Sequence, residues 1–258
     1  MNSGETQWLH AVPGKMMNAD EVHVWRACLD VTTVEFEMLL SFLSDDETAR
    51  AGRFHFEKDR KRFIAARGIL RKMLGSYLNR PPGKICFEHS AHGKPMLAPG
   101  HSNDRICFNL SHSGSLALYA VTRNKNIGID IESIRNDVSL ERVAQQFFSQ
   151  NEISWLGKVD ISKRSELFFQ YWTRKEAVLK AIGKGLSFPM EQCDVSLLNG
   201  KVWSPVILKD GNESPGLYVQ DLFPSDGYVA AVAIEGSDCN LLCRDYSASG
   251  IVSDYENC

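Results

Sequence analysis

The sequence predicts an α+β fold of two similar halves, each a small sheet packed on one long helix, with a ligand site between them. Three observations lead there. Short apolar runs suited to strands occur on both sides of the chain's middle. Two amphipathic stretches, about 58–78 and 165–182, are long enough for principal helices. The order apolar strand, short helix, Ser-x-x-Glu helix start, long helix and further strands appears twice, though no residue-level repeat accompanies it. Clefts between such halves are common ligand sites.

At 258 residues, the chain has room for one large domain or two modest ones, and 43% hydrophobic with 24% charged residues excludes disorder as its main theme. A net charge of -3 gives no overall attraction for nucleic acid or anionic membrane, so any anionic ligand must be held by a local cluster of Lys and Arg. The 7 cysteines form no C-x-x-C pair and have no neighbouring His at metal-ligand spacing, which suits reduced thiols in the cytoplasm. Nothing at the N-terminus reads as a signal or membrane-spanning segment. Residues 1–20 are expected to be a flexible leader, 21–125 and 126–244 the two halves, and 245–258 a loose tail.

Along the chain, Glu21 to Leu29 places Val22, Val24 and Cys28 on one side and Trp25, Ala27 and Leu29 on the other, the composition of a strand covered on both faces. Val34 to Leu43 reads as a short helix. Ser44 and Glu47 then supply a capping box for the helix carrying Arg50. From Lys58 to Leu78, Phe63, Ala66, Leu70, Met73 and Tyr77 make a buried stripe, with Arg60, Arg67 and Arg71 on another face, where a solvated surface and a functional one account for them equally well. Prolines 81 and 82 and Gly83 turn the chain into a strand at Lys84 to Glu88 and a polar loop over 90–95.

Arg105 to Leu110 and Leu116 to Thr122 read as two strands joined by a five-residue hairpin loop, Ser111 to Ser115, with accessible backbone N–H groups. In the strand Ile127 to Ile131, Asp130 and Glu132 are two apart and so project from one side. Ser139 to Phe147 is helical, and Ser149 with Glu152 repeats the capping box. Gly183 and Gly185 end the long helix. Val195 to Leu198, Val202 to Leu208, Leu217 to Leu222 and Tyr228 to Ile234 complete the second half, and Pro205 makes the second of these an edge strand.

On the long helix, Trp172, Lys175, Glu176 and Lys180 are expected on one face, a poor way to build a core stripe. Glu176 and Lys180 alone are equally well a solvated i, i+4 pair. With Asp130 and Glu132, however, Glu176 completes a set of three carboxylates of the kind Mg²⁺ prefers, and the absence of His and Cys disfavours zinc. Lys175, Lys180, Lys94, His112 and Arg50 supply cations around it. Carboxylates holding a metal among Lys, Arg and His suit phosphoryl or phosphodiester chemistry. Taken singly, His112 is more often a loop or capping group and Lys94 more often solvent-facing.

Five pieces of sequence carry a resemblance. FNLSHSG (Phe108 to Gly114), IGIDIE (Ile127 to Glu132), FFQYWTRKEAVLKAIGKGLSFP (Phe168 to Pro189), the Gly93-Lys94-Pro95 turn, and the spacing of Phe54, Asp59 and Arg62 occur in the order and at the intervals of Sfp-type 4′-phosphopantetheinyl transferases. The chain resembles that family over roughly residues 21 to 235. The resemblance implies a monomer of two pseudo-symmetric halves with mainly antiparallel sheets, binding coenzyme A in the cleft between them. It also implies transfer of the phosphopantetheine arm to a serine of an apo acyl or peptidyl carrier domain, of the kind found in fatty acid, polyketide or nonribosomal peptide synthases.

By the same resemblance, Asp130, Glu132 and Glu176 hold Mg²⁺, or Mn²⁺ in its place, on the CoA pyrophosphate. Glu176 takes the serine proton, Lys180 steadies the pyrophosphate, and His112 meets a CoA phosphate. Arg50, Arg62, Gly93, Lys94, Pro95, Ser111 and Ser113 bind the nucleotide end. Some family members carry a Lys at the position of Glu47, so that edge of the nucleotide site differs here. Trp172 is expected to pack beneath the site. Two other classes were weighed. A Mg²⁺-dependent nuclease would use the same acids, but the chain lacks an extended basic or aromatic strand-binding surface; a non-catalytic CoA or carrier binder would have no need of the intact acids and lysine.

Overall fold

The computed structural model describes residues 6–11, 17–100, 105–136, 140–183, 185, 188–196, 203–208 and 216–246. In chain order the elements are β1 (Leu9–Ala11), β2 (Glu21–Cys28), α1 (Thr33–Leu40), α2 (Asp45–Ala51), α3 (Glu57–Leu78), β3 (Phe87–His89), β4 (Pro95–Leu97), β5 (Ile106–Ser113), β6 (Leu116–Arg123) and β7 (Ile127–Ser133). They continue with α4 (Leu140–Phe147), α5 (Gln150–Lys158), α6 (Ile161–Ile182), β8 (Cys193–Asp194), β9 (Ser204–Pro205), β10 (Ile207–Leu208), β11 (Leu217–Leu222), β12 (Tyr228–Glu235) and β13 (Asn240–Tyr246).

Two principal sheets result, one in the order β1-β13-β2-β6-β5 and the other β7-β12-β11-β9. Side-chain alternation along the strands decides how they stack. Val22, Val24, Leu116, Leu118 and Ala120 of the first sheet meet Ile127, Ile129, Ile131, Ala230, Val232 and Ile234 of the second in one apolar layer. The opposite faces are closed by the long helices. Trp25, Ala27, Tyr119 and Val121 pack with Ile69, Leu70 and Met73 of α3, while Val219, Val229, Ala231 and Ala233 pack with Ala177, Val178 and Ala181 of α6. The order of layers is α3, sheet, sheet, α6.

The two halves echo one another more closely than the sequence reading found. Both long helices have 22 residues, and both end on a left-handed residue, Asn79 (φ 50) and Gly183 (φ 76). In both, the Glu of the preceding capping box is buried and paired with a cation of the long helix. Glu47 joins Arg67 (2.7 Å) and Arg71 (2.6 Å), and Glu152 joins Lys175 (2.8 Å). Arg71 also donates to the carbonyl of Ile85, and Lys175 to those of Met190 and Cys193, so each cation ties its helix to the segment that follows. Of the two readings open for Arg67 and Arg71, the solvated surface is therefore excluded. Burial would raise the Glu47 carboxyl, but Arg67 and Arg71 outweigh it and hold its pKa down.

Three local differences from the sequence reading have physical causes. The strand expected at Lys84 to Glu88 is a 3-10 turn at Pro82–Lys84 followed by β3, because Arg71 bonds the carbonyls of Pro82 and Ile85. Val195 and Ser196 lie outside any strand, residues 197–198 and 202 are outside the described residues, and the run at 204–208 splits between β9, at a sheet edge, and β10. The leader and the tail each give residues to the first sheet. β13 runs parallel to β2 and ends with buried Asp245 and Tyr246, and β1 runs parallel to β13. The rest of the expected tail lies outside the described residues. Of the described cysteines, Cys86, Cys107, Cys193, Cys239 and Cys243 are free thiols, whereas Cys28 is disulfide-bonded, against the expectation of reduced thiols throughout. No described helix is long and apolar enough to cross a membrane.

The seat of α6 on β7 depends on one missing side chain. A Cβ at Gly128 would lie 1.9 Å from the Ala177 carbonyl oxygen and 2.5 Å from the Ala181 amide nitrogen. Both are helix backbone and cannot yield separately. Gly128→Ala is expected to lower the unfolding free energy by about 3 kcal/mol, read by chemical denaturation; an unchanged midpoint would mean that α6 is not seated there.

Candidate active site

β5 and β7 are edge strands of different sheets that run side by side in the same direction. Their register is set by side chains of β5. The Asn109 side-chain oxygen accepts the Ile129 amide (2.8 Å), Ser111 lies 2.8 Å from Asp130, and Ser113 lies 3.1 Å from Glu132. Ser111 to Ser113 are thus not the hairpin loop expected. They continue the ladder to β6, pairing with Leu118, Ala117 and Leu116, and the turn is only Gly114 and Ser115, with Gly114 at φ 58. Their backbone N–H groups are strand groups, and their small polar side chains are explained by the acids they face.

Alternation along β7 sends Ile127, Ile129 and Ile131 into the sheet interface and Asp130 and Glu132 to the α6 side, as expected for residues two apart. α6 brings Lys180 and Glu176. The Lys180 ammonium donates to Asp130 Oδ1 (2.7 Å), to Ser111 Oγ (3.1 Å) and to the Ile129 carbonyl (3.1 Å). Asp130 is 5% exposed, and its Oδ2 is buried with no hydrogen-bond partner. Leaving such an oxygen unmatched costs about 1–3 kcal/mol, and more for a charged group. Half-buried Glu176 forms no hydrogen bond or ion pair among the described residues.

Electrostatics ties the three acids together. Desolvation, then the charge of Asp130, raises the pKa of both Glu132 and Glu176, and Glu132 adds to the rise at Glu176. Lys180 opposes the rise at both without cancelling it. The site is therefore short of positive charge. As they stand, no three His, Cys, Asp or Glu side chains among the described residues are gathered closely enough to hold a metal ion. Even so, the free Asp130 oxygen and the mutual repulsion of oxygen donors are what a hard cation would relieve.

The remaining expected site residues fall into three places. His112, on the opposite side of β5, is open to solvent over more than a third of its surface, and its pKa is lowered by partial desolvation of the ring and by the charges of Lys180 and Arg62. Arg62 is committed to Asp30 through two hydrogen bonds of 2.8 and 2.7 Å. Arg50 is exposed, with its guanidinium carbon 5.4 Å from the Phe63 ring centroid, and belongs to neither the acid cluster nor the β5 face. Gly93 makes the turn (φ 80) that leads to Lys94 and Pro95.

Lys94 is not solvent-facing. Its ammonium donates to the carbonyls of Ile127 (2.8 Å) and Lys180 (2.6 Å), fastening the turn of the first half to β7 and α6. Lys94 and Pro95 also line a cavity of about 530 Å³ together with Phe108, Ile127 and Ala181. Burial lowers the Lys94 pKa from 10.5 to about 8. Between those two values the unfolded chain binds the proton and the folded chain does not, so this group's contribution to stability rises with pH. The stability difference between the native protein and Lys94→Met should therefore shift toward the native protein from about pH 8 to 10.5, read by denaturation at matched pH values. A constant difference would mean that Lys94 titrates normally.

Lys175 was expected beside Glu176 and is elsewhere. It is fully buried on the core side of α6, bound to Glu152, while Trp172 packs against Phe168 and Phe147. Consecutive residues on a helix are separated by about 100° of rotation, enough here to put Lys175 in the core and Glu176 at the site. The sequence alone assigns no role to Asn109 and shows Glu47 and Glu152 only as capping residues, without their cation partners. The signal for Asn109 was a lone amide inside an apolar strand, and for the glutamates it was their place in capping boxes opposite cations of the long helices.

Comparison with known proteins covers most of this chain. The 4′-phosphopantetheinyl transferase superfamily model matches residues 126–233, and the 4′-phosphopantetheinyl transferase N-terminal model matches residues 25–124. The 4′-phosphopantetheinyl transferase HetI of Nostoc sp. is 40% identical over 229 residues, covering 89% of this chain and 94% of that protein. The 4′-phosphopantetheinyl transferase Sfp of Bacillus subtilis is 32% identical, covering 79% of this chain and 87% of Sfp. The 4′-phosphopantetheinyl transferase gsp of Aneurinibacillus migulanus is likewise 32% identical, over 75% of this chain and 76% of its own length.

Proposed function

The chain belongs to the 4′-phosphopantetheinyl transferase superfamily, and on that premise we propose that it transfers the 4′-phosphopantetheine arm of coenzyme A to a serine hydroxyl of an apo carrier domain. A new bond forms between the serine oxygen and the phosphorus that carries the pantetheine. The pyrophosphate bond breaks, adenosine 3′,5′-bisphosphate leaves, and the serine proton passes to a base.

One observation carries the assignment of residues. Asp130, buried beside Lys180, keeps one carboxylate oxygen unpartnered while its charge raises the pKa of Glu132 and Glu176. Asp130, Glu132 and Glu176 would hold Mg²⁺, with Mn²⁺ as a substitute, and the ion supplies charge neutralisation at the pyrophosphate when bound. Glu176, unpaired and with a raised pKa, is the base that receives the serine proton. Lys180, which holds Asp130 by the other oxygen, is the cation that would steady the pyrophosphate.

For the nucleotide end we assign His112 and, around it, Ser111, Ser113 and the Gly93-Lys94-Pro95 turn; Arg62 would have to leave Asp30, and Arg50 to reach in from beside Phe63, to join them. Lys94 acts there through its packing and its backbone, since its ammonium is bound to carbonyls. The division at 21–125 and 126–244 describes the two halves apart from β13, which returns to the first sheet. We read the protein as a cytoplasmic monomer serving acyl or peptidyl carriers of fatty acid, polyketide or nonribosomal peptide synthases. Incubation with CoA, Mg²⁺ and each type of apo carrier, followed by mass spectrometry, tests the reading. A gain of one phosphopantetheine arm on the carrier supports it, and CoA binding without any mass gain would overturn it.

A further inference from the structure

We propose that Asn109, Ser111 and Ser113 are positioning residues that set the register and the oxygen orientation of the metal-binding carboxylates, a role beyond any contact with the nucleotide. The proposal rests on the cation-binding reading of Asp130, Glu132 and Glu176. Three alternate residues of β5 point toward β7, and each makes its contact at nearly the same sequence separation, 20, 19 and 19. Main-chain bonds normally set the register of neighbouring strands. Across this join between two sheets, these side chains do so.

Donor and acceptor accounting orients each hydroxyl. Ser111 Oγ accepts from the Lys180 ammonium, which leaves its proton for Asp130 Oδ1. Lys180 donates to the same Oδ1, so both donors sit on one oxygen and the other is left bare. Ser113 Oγ accepts the Ser133 amide (3.1 Å) and donates its proton to Glu132 Oε2 (3.1 Å), a nearer and charged acceptor than Ser133 Oγ at 3.5 Å. The Asn109 oxygen, fixed on the Ile129 amide, sets the height of Asp130 next to it. Each serine thus holds one oxygen of a carboxylate and leaves the other for a cation. Groups that orient metal ligands in this way commonly contribute a factor of about 10–100 to metal affinity.

The test is Mn²⁺ binding by the full chain without CoA, read as loss of the free-ion electron paramagnetic resonance signal, together with the melting temperature and the KM for CoA. Ser111→Ala and Ser113→Ala should each weaken Mn²⁺ binding about 10-fold with melting near the native value. Ser111→Thr and Ser113→Thr, which keep the hydroxyl, should recover most of it. Should an alanine variant fail to fold, its threonine partner and the other serine's pair still decide. Native Mn²⁺ affinity in both alanine variants, with only the KM for CoA raised, would overturn the proposal and return the serines to the nucleotide site. Asp130→Asn identifies the other failure: if it binds Mn²⁺ as well as the native protein does, the cation-binding reading itself has failed.

Discussion

Glu176→Gln should lower carrier modification by a factor on the order of 10²–10⁴ and leave the protein folded. The carboxylate lies on the site face of α6, forms no hydrogen bond or ion pair among the described residues, and carries a pKa raised by desolvation and by Asp130. It does nothing visible for the fold and has the proton affinity of a base. The sign of its stability effect separates the two roles. A carboxyl whose folded pKa lies above its unfolded value of 4.5 stabilises the folded state at low pH, and that contribution is lost as pH rises through the folded value. At neutral pH the ionised form is therefore a burden, and glutamine removes it. Melting of Glu176→Gln at neutral pH should be equal to or above native while turnover collapses. Near-native turnover would remove Glu176 from the chemistry, and joint loss of turnover and melting temperature would make it structural.

Lys175→Met should do the reverse, lowering stability by about 3–5 kcal/mol. Lys175 and Glu152 are both fully buried, and the ammonium donates to Glu152 and to the carbonyls of Met190 and Cys193. Methionine fills the space but leaves the Glu152 charge with only the Ser149 and Val195 amides, and two buried carbonyls lose their donor. Breaking one side of a buried pair costs far more than breaking an exposed one. Chemical denaturation of Lys175→Met against Arg60→Ala makes the comparison, since the Arg60–Glu57 pair is exposed on both sides (38% and 60%) and should cost little to break. Equal, small losses for the two would contradict the buried-pair account.

Glu176 and Lys175 are adjacent in sequence and opposite in function, and that marks how far the sequence could be read. The acids were legible because period-two spacing on a strand and period-four spacing on a helix are local facts, and both held in Asp130, Glu132, Glu176 and Lys180. Lys175 was misplaced because a difference of about 100° on a helix decides between core and site only once it is known what packs on each side. The twin long helices and both capping boxes were visible in pattern. The partners of Glu47 and Glu152 were not, because each pair joins residues at least twenty positions apart.

The serines looked like a loop for a similar reason. A run of small polar residues reads as a turn unless a neighbouring strand supplies acids for them to bond. β13 was missed because its place beside β2 is a parallel pairing across nearly the whole chain, which no local pattern records. Arg62 was expected at the nucleotide, and its pairing with Asp30 likewise depends on a long-range approach.

The most direct measurement is the mass of an apo carrier domain after incubation with this protein and CoA, with Mg²⁺ or with excess chelator, using the native protein, Asp130→Asn and Glu176→Gln, all confirmed as folded. Three carboxylates serving one divalent ion predict a full phosphopantetheine mass gain for the native protein with Mg²⁺, and almost none with chelator or with either variant. A complete gain in chelator, or in Asp130→Asn, would contradict it.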